Sequence, residues 1–138
     1  MSAFLGYMLA CALQIHGMSI HDFDIICSCV QAEAGGESDE CKEAVATVIL
    51  NRLYCEDKFP DNVSDVVYSK NQFVVAPLGS VTIETKTAVI MAMINWGTYN
   101  QKVPRSCYYF RAGHFHNFGI KYRHIDNTYF SLAENATD

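Results

Sequence analysis

Nowhere in its 138 residues does the chain gather lysines and arginines into a run. Its ten Lys and Arg are outnumbered by fifteen Asp and Glu, for a formal net charge of -5. A duplex nucleic-acid binder needs a basic face to neutralise phosphates, so no nucleic-acid partner is expected. There is no C-x-x-C pair, which removes the usual zinc knuckle and the dithiol redox motif. The N-terminal apolar run, Ala3 to Leu13, falls short of the roughly 20 residues a membrane-spanning helix needs. Nor do Lys or Arg precede that run, as they do in a secretory signal, so a first helix packed on the core is the favoured reading. Export by another route, or numbering that begins inside a longer precursor, stays open. With no repeat, low-complexity tract or linker, one domain over 1–138 is expected.

What is present points to a real core. Half of the residues are apolar, and a chain of this length buries enough of them to fold alone. Six cysteines stand at 11, 27, 29, 41, 55 and 107. Free cysteine packs readily in interiors, so mostly buried thiols are expected, with disulfides left open.

Periodicity divides the chain into helices followed by strands. "MSIHDFDIICSCVQAEA" predicts a helix capped by Ser19 or Asp22, with Phe23, Ile26, Cys27, Val30 and Ala34 on one face. Gly35 and Gly36 end it, and Ser38 or Asp39 caps a second helix, about Glu40 to Leu53. "VSDVVYS" predicts a short helix, and "NQFVVAPLGS" an extended segment or irregular hairpin. Ile83 to Tyr99 is apolar nearly all round from Ala88 to Trp96, which predicts a central, buried helix. Beyond Pro104, "SCYYFRA" and "KYRHIDNTYFSL" read as strands on either side of a Gly/His-rich loop. Helices first and short strands after give an α+β class.

Glu33 is the first candidate for chemistry. A carboxyl beside an apolar helix face loses hydration, which raises its pKa and suits it to protonate a glycosidic oxygen. The neighbouring glycines would let a sugar approach. The competing reading is a solvated acid at a helix end. Glu37 fits either the second carboxylate of a glycosidase pair or a helix-start charge. Gln72 and Phe73 offer an amide and a ring face to a sugar, or else belong to an ordinary strand. Tyr108, Tyr109 and Phe110 alternate as strand residues with one side buried and one lining a groove. His114, His116 and His124 have no acidic or Cys ligand in pattern and read as loop histidines rather than metal ligands. Asn51 and Arg52, at the end of the second helix, read either as ligand contacts or, the favoured assignment, as helix-end residues, with Arg52 favouring the dipole and Asn51 helping to end the helix.

In order along the chain, "AEAGGE" (Ala32 to Glu37), "VATVILNRL" (Val45 to Leu53), "FPDNVSDVVY" (Phe59 to Tyr68), "QF" (Gln72, Phe73) and "YYF" (Tyr108 to Phe110) resemble the motifs of the spore cortex-lytic, cell-wall hydrolase family (SleB-type). The resemblance covers roughly Asp24 to Phe130. It implies a lysozyme-like core related to lytic transglycosylases and resuscitation-promoting factors, and peptidoglycan glycan strands as substrate. By matching position Glu33 becomes the essential acid. The expected activity is a lytic transglycosylase acting between N-acetylmuramic acid and N-acetylglucosamine, with no cofactor and no metal. Glu37, Gln72, Phe73, Tyr109 and Asn127 are the expected substrate-binding residues. A location at the cell wall or spore, in a bacterium or its phage, follows from the same resemblance. Two departures stand out: Gly35 replaces the family's usual Arg, and in "IDNTYF" Asp126 and Thr128 replace a Gly and a His. The alternatives are a hydrolytic muramidase, a catalytically weak glycan-binding or particle-assembly module, and a metal-dependent amidase. Oligomeric state is not readable from the sequence.

Overall fold

The structure, a computed structural model, describes residues 2–69 and 72–135. Its elements run α1 (Ala3–His16), α2 (Ile20–Ala34), α3 (Asp39–Leu53), α4 (Val63–Tyr68), a 3-10 turn (Leu78–Ser80), α5 (Ile83–Asn95), β1 (Cys107–Ala112), β2 (Ile120–Ile125) and β3 (Thr128–Leu132). The strands form an antiparallel sheet in the order β1-β3-β2. The expected α+β order of helices and then strands is therefore what the chain adopts.

Helix starts follow the caps read from sequence. Ser19 Oγ accepts from the Asp22 N–H at 3.1 Å and Ser38 Oγ from the Cys41 N–H at 3.2 Å, each satisfying an otherwise orphaned donor. The end of α2 works differently from expectation. Neither Gly35 nor Gly36 enters the left-handed region, and Gly35 keeps helical angles, φ -60° and ψ -29°. A Cβ at Gly35 would collide with the Gln31 amide and carbonyl. Glycine is required there because Gln31 occupies the space.

The central helix is α3 rather than α5. Every residue from Cys41 to Arg52 is buried, because α2, α4, α5 and β1 surround it. Its polar side chains survive burial by finding partners. Thr47 Oγ1 donates to the Glu43 carbonyl at 2.8 Å, and the Glu43 carboxylate meets Asn95 Nδ2 at 3.3 Å and Lys102 Nζ at 3.8 Å. Asn51 Nδ2 donates to the carbonyls of Pro104 and Cys107, at 2.8 and 3.0 Å, while its Oδ1 accepts from the Trp96 indole at 3.0 Å. Asn51 thus joins α3 to the end of α5 and to β1, correcting its assignment as a helix terminator. Helix α5 stops at Asn95, short of Tyr99, and buries Ala88, Val89, Ile90, Ala92 and Met93. As expected, α1 packs on the core, against α5. Its contact is narrow, burying Leu9 and Ala12 and leaving Phe4, Tyr7 and Ile15 exposed.

"KYRHIDNTYFSL" is two strands, not one, folded at Asp126 and Asn127. Asp126 has φ 51°, a region that aspartate visits more readily than most side chains. Its carboxylate accepts from the Ser38 N–H at 2.9 Å, which pins the hairpin tip to the start of α3. Thr128 is buried and hydrogen-bonds the Cys41 sulfur. Both departures from the family pattern therefore fasten the hairpin to α3. "NQFVVAPLGS" contributes no strand: residues 73–77 have no regular structure before the 3-10 turn, and Asn71 lies outside the described residues.

All six cysteines are free thiols, with Cys27, Cys29, Cys41 and Cys107 buried and Cys11 and Cys55 partly so. Burial pushes the Cys41 thiol up to about 11 and Cys107 up to about 12.

Candidate active site

Glu33 sits one residue before the end of α2, between the buried Ala34 and the exposed Ala32, and is itself half-buried. The segment after Gln72 runs alongside this helix and is bonded to it repeatedly. The Val74 N–H donates to Glu33 Oε1 at 2.8 Å and the Ala76 N–H to the Ser28 carbonyl at 3.0 Å. Gln31 Oε1 then accepts from the Thr85 hydroxyl at 2.6 Å and the Thr82 N–H at 3.1 Å, holding the start of α5. The irregular segment is thus an ordered wall, satisfied through its backbone.

Burial raises the Glu33 carboxyl above its ordinary value, and the Val74 N–H, which favours the ionised form, draws it back in part. Only Oε1 is engaged among the described residues. That leaves Oε2 to carry a proton toward solvent or a ligand.

Behind the wall stands Arg52, 5% exposed. Its Nε donates to the Tyr108 carbonyl and its NH1 to Gln72 Oε1, both at 2.7 Å. The guanidinium carbon lies 4.6 Å from the Phe73 ring centre, 4.9 Å from Phe59 and 5.7 Å from Tyr109. Burial pulls its pKa down to about 10, so it is still charged at neutral pH. Phe73 stacks on Phe110 with ring centres 5.6 Å apart and planes inclined by 18°. The structure thus brings Gln72, Phe73 and Tyr109 together around Arg52 and joins them to Glu33 through Val74. Arg52 was assigned to the helix dipole, and that is corrected here. Its spacing from Val45, Val48 and Ile49, at seven, four and three residues, already placed it on the inward face of α3.

Glu37 and Asn127 are not bonded into this group. The Glu37 N–H donates to the Ala34 carbonyl at 3.0 Å, and its carboxylate takes no hydrogen bond among the described residues. Asn127 is exposed at the β2–β3 turn, where its carbonyl accepts from the Gly113 N–H at 2.9 Å. His114, His116 and His124 each bond a backbone carbonyl, of Phe115, Phe110 and Asp126. Gly35, expected to leave room for sugar, is instead closed off by Gln31, whereas Gly36 faces open space.

A family model described as Cell Wall Hydrolase matches residues 36–131. The chain belongs to the cell wall hydrolase family. The family match begins just beyond Glu33 and takes in Arg52, Gln72, Phe73, Tyr109 and the sheet. Among curated relatives of this chain, a spore cortex-lytic enzyme of Oceanobacillus iheyensis is 37% identical over 84 residues, 58% of this chain and 30% of that protein. Spore cortex-lytic enzymes of Halalkalibacterium halodurans and Bacillus subtilis are 35% and 32% identical over 82 and 84 residues. The alignments span less than a third of each of these relatives. The crystal structure of the catalytic domain of the Bacillus cereus SleB protein superposes with a TM-score of 0.66 at 24% identity, covering 82% of this chain and 91% of that one. The chain therefore shares that domain's fold.

Proposed function

We propose that this chain is a single catalytic domain that cleaves peptidoglycan glycan strands as a lytic transglycosylase, with Glu33 as its acid. The carrying observation is the half-buried carboxyl of Glu33, with one oxygen held by the Val74 N–H and the other free of hydrogen bonds among the described residues. The relatives' common description as spore cortex-lytic enzymes supports peptidoglycan as the substrate class, and with it a place at the cell wall or spore.

In this mechanism Glu33 Oε2 gives its proton to the glycosidic oxygen between N-acetylmuramic acid and N-acetylglucosamine. The bond from that oxygen to the muramic-acid anomeric carbon breaks through an oxocarbenium-like state. The Val74 N–H stabilises the carboxylate left behind. The same carboxylate then takes the proton of the muramic acid 6-hydroxyl, whose oxygen bonds to the anomeric carbon and closes a 1,6-anhydro ring. One carboxylate serves both steps because the nucleophile belongs to the substrate, and no cofactor takes part. Phe73 and Tyr109 offer ring faces to the sugars. Gln72, whose carbonyl is committed to Arg52, contributes its amide N–H. Glu37 and Asn127 are kept as outer contacts of the strand.

Mass spectrometry of fragments released from purified peptidoglycan tests the reading. Anhydro-muropeptides from the wild type and none from Glu33→Gln are expected. Reducing-end fragments instead would make the enzyme a hydrolytic muramidase, with Glu33 activating water. No fragments from any wall or cortex preparation, with binding retained by Glu33→Gln, would leave a glycan-binding module.

A further inference from the structure

Away from Glu33 and its flanking segment, the sheet has an outer face that the proposed chemistry does not use. Phe110 and Phe130 pair across β1 and β3 on the inner side, where Phe130 is fully buried. By strand alternation the next register row, Arg111, Tyr129 and His124, lies on the other side. There a recess of about 450 Å³ is lined by His114, Phe115, His116, Lys121 and Tyr129 among others. Phe115 meets Tyr129 edge to face at 4.9 Å, and His124 stacks on Tyr129 at 5.0 Å. Lys121 Nζ stands 5.7 Å from the Phe115 ring centre.

Two features say what belongs in this corner. The first is charge. The chain is acidic as a whole, yet it has no Asp or Glu between Glu84 and Asp126, a stretch that carries six Lys and Arg. Three of those six are occupied elsewhere: Lys102 with Glu43, Arg123 with Glu40 at 3.1 Å, and Arg105 over the Trp96 ring. Arg111 and Lys121 remain on the outer face with no carboxylate partner among the described residues. A local positive potential on an anionic protein selects small anionic groups. The second is continuity with the aromatic cluster around Arg52. Tyr109, beside Arg52, meets Phe118 at 5.1 Å and His116 at 6.3 Å, and His116 both lines the recess and bonds the carbonyl of Phe110. Phe110 in turn stacks on Phe73, next to the residue that holds Glu33.

We propose that this recess binds the carboxylate-bearing peptide stem of the same polymer whose glycan lies at Glu33. The inference rests on the peptidoglycan reading above. Muramic acids of this polymer carry peptide stems on their lactyl groups, projecting sideways from the sugar strand. The aromatic corner takes the small aliphatic side chains, Lys121 in its lining takes a carboxylate, and Arg111, paired across the strands with Tyr129, takes another from beside it. The site sets a preference for peptide-bearing over bare glycan.

The test uses Glu33→Gln protein, so that bound strands are not consumed, with three probes: peptide-bearing glycan strands, the same strands stripped of peptide by an amidase, and a free stem tetrapeptide. Tighter binding to peptide-bearing than to stripped strands is expected, together with measurable binding of the free tetrapeptide. Arg111→Gln/Lys121→Gln should weaken peptide-bearing strands about fivefold, the size of two exposed charge contacts, and leave stripped strands unchanged. Both positions are exposed, so folding is not at issue, and Lys121→Arg should retain most of the binding. Phe115→Ala should act in the same direction. Equal affinity for stripped and peptide-bearing strands, or indifference to the double substitution, overturns the proposal. So does a teichoic-acid phosphate polymer that binds in place of the tetrapeptide and shows the same loss. These readouts are binding constants, so they separate from the product assay. Peptide dependence without fragment release sinks the transglycosylase reading alone, and fragment release without peptide dependence sinks the recess alone.

Discussion

Replacing Arg52 by methionine sets a buried cation's cost against its contacts. Arg52→Met removes two charge-assisted hydrogen bonds, to the Tyr108 carbonyl and to Gln72, worth about 1.5–3 kcal/mol each. It also removes the placement over Phe73 and Phe59, worth about 1–2 kcal/mol where desolvated. Against these stands the cost of burying the guanidinium. Its pKa falls from 12.5 to about 10, which corresponds to about 3 kcal/mol. The balance is a net destabilisation of about 3 kcal/mol, seen in thermal unfolding as a drop of about 10 °C for a chain of this size. Arg52→Lys keeps the charge but lacks the planar fork that reaches both acceptors, and should lose about half as much. Activity should fall further than stability, because Gln72 and Phe73 lose their anchor and the Val74 N–H drifts from Glu33. Buried ion sites replaced by apolar residues are in some proteins neutral or stabilising. A methionine variant as stable as the wild type would refute the reasoning, since desolvation would then outweigh the contacts.

Further expectations concern the acid, its flank and the thiols. Because the Glu33 pKa is raised on folding, the native state holds its proton more tightly, and stability falls as pH rises from the ordinary carboxylate value through the folded one. Glu33→Gln should therefore be inactive yet more stable than wild type at neutral pH, with the gap closing on acidification in parallel denaturant titrations. Gly35→Arg, which restores the family's usual residue, should cost about 1–3 kcal/mol because its Cβ meets both the Gln31 amide and the Gln31 backbone carbonyl, and Gln31→Ala should recover only part of that in a double-mutant cycle, since the carbonyl stays. A colorimetric thiol reagent should label Cys11 and Cys55 in the native protein, and Cys27, Cys29, Cys41 and Cys107 only on unfolding, since burial disfavours their thiolates.

Much of this architecture was readable before any coordinates. Ser19 and Ser38 announce helix starts because their side chains close a local hydrogen bond, which needs no tertiary partner. The order of helices and strands follows from periodicity in the same way. What escaped depends on partners distant in sequence. Glu43 and Asn51 look like the wet side of an amphipathic helix, and only a helix enclosed on every side gives them buried partners. The turn at Asp126 was hidden because neither Asp-Asn nor its flanks carry a glycine. The partial burial of Glu33 was legible from its place beside an apolar face, while its proposed role as the acid came only from the family resemblance. The wall that holds it was not legible, since backbone bonds from Val74 and Ala76 leave no mark on side-chain pattern.

The bond from Ser38 to Asp126 closes the corner between α2 and α3 with a residue 88 positions further along the chain. Arg52 waits likewise for Tyr108, and Asn51 for Cys107. Chain closure over such separations is slow compared with forming a helix. On a ribosome the helices can assemble while the sheet is still unsynthesised. The corner that carries Glu33 is then closed only when the β2–β3 hairpin docks on the start of α3.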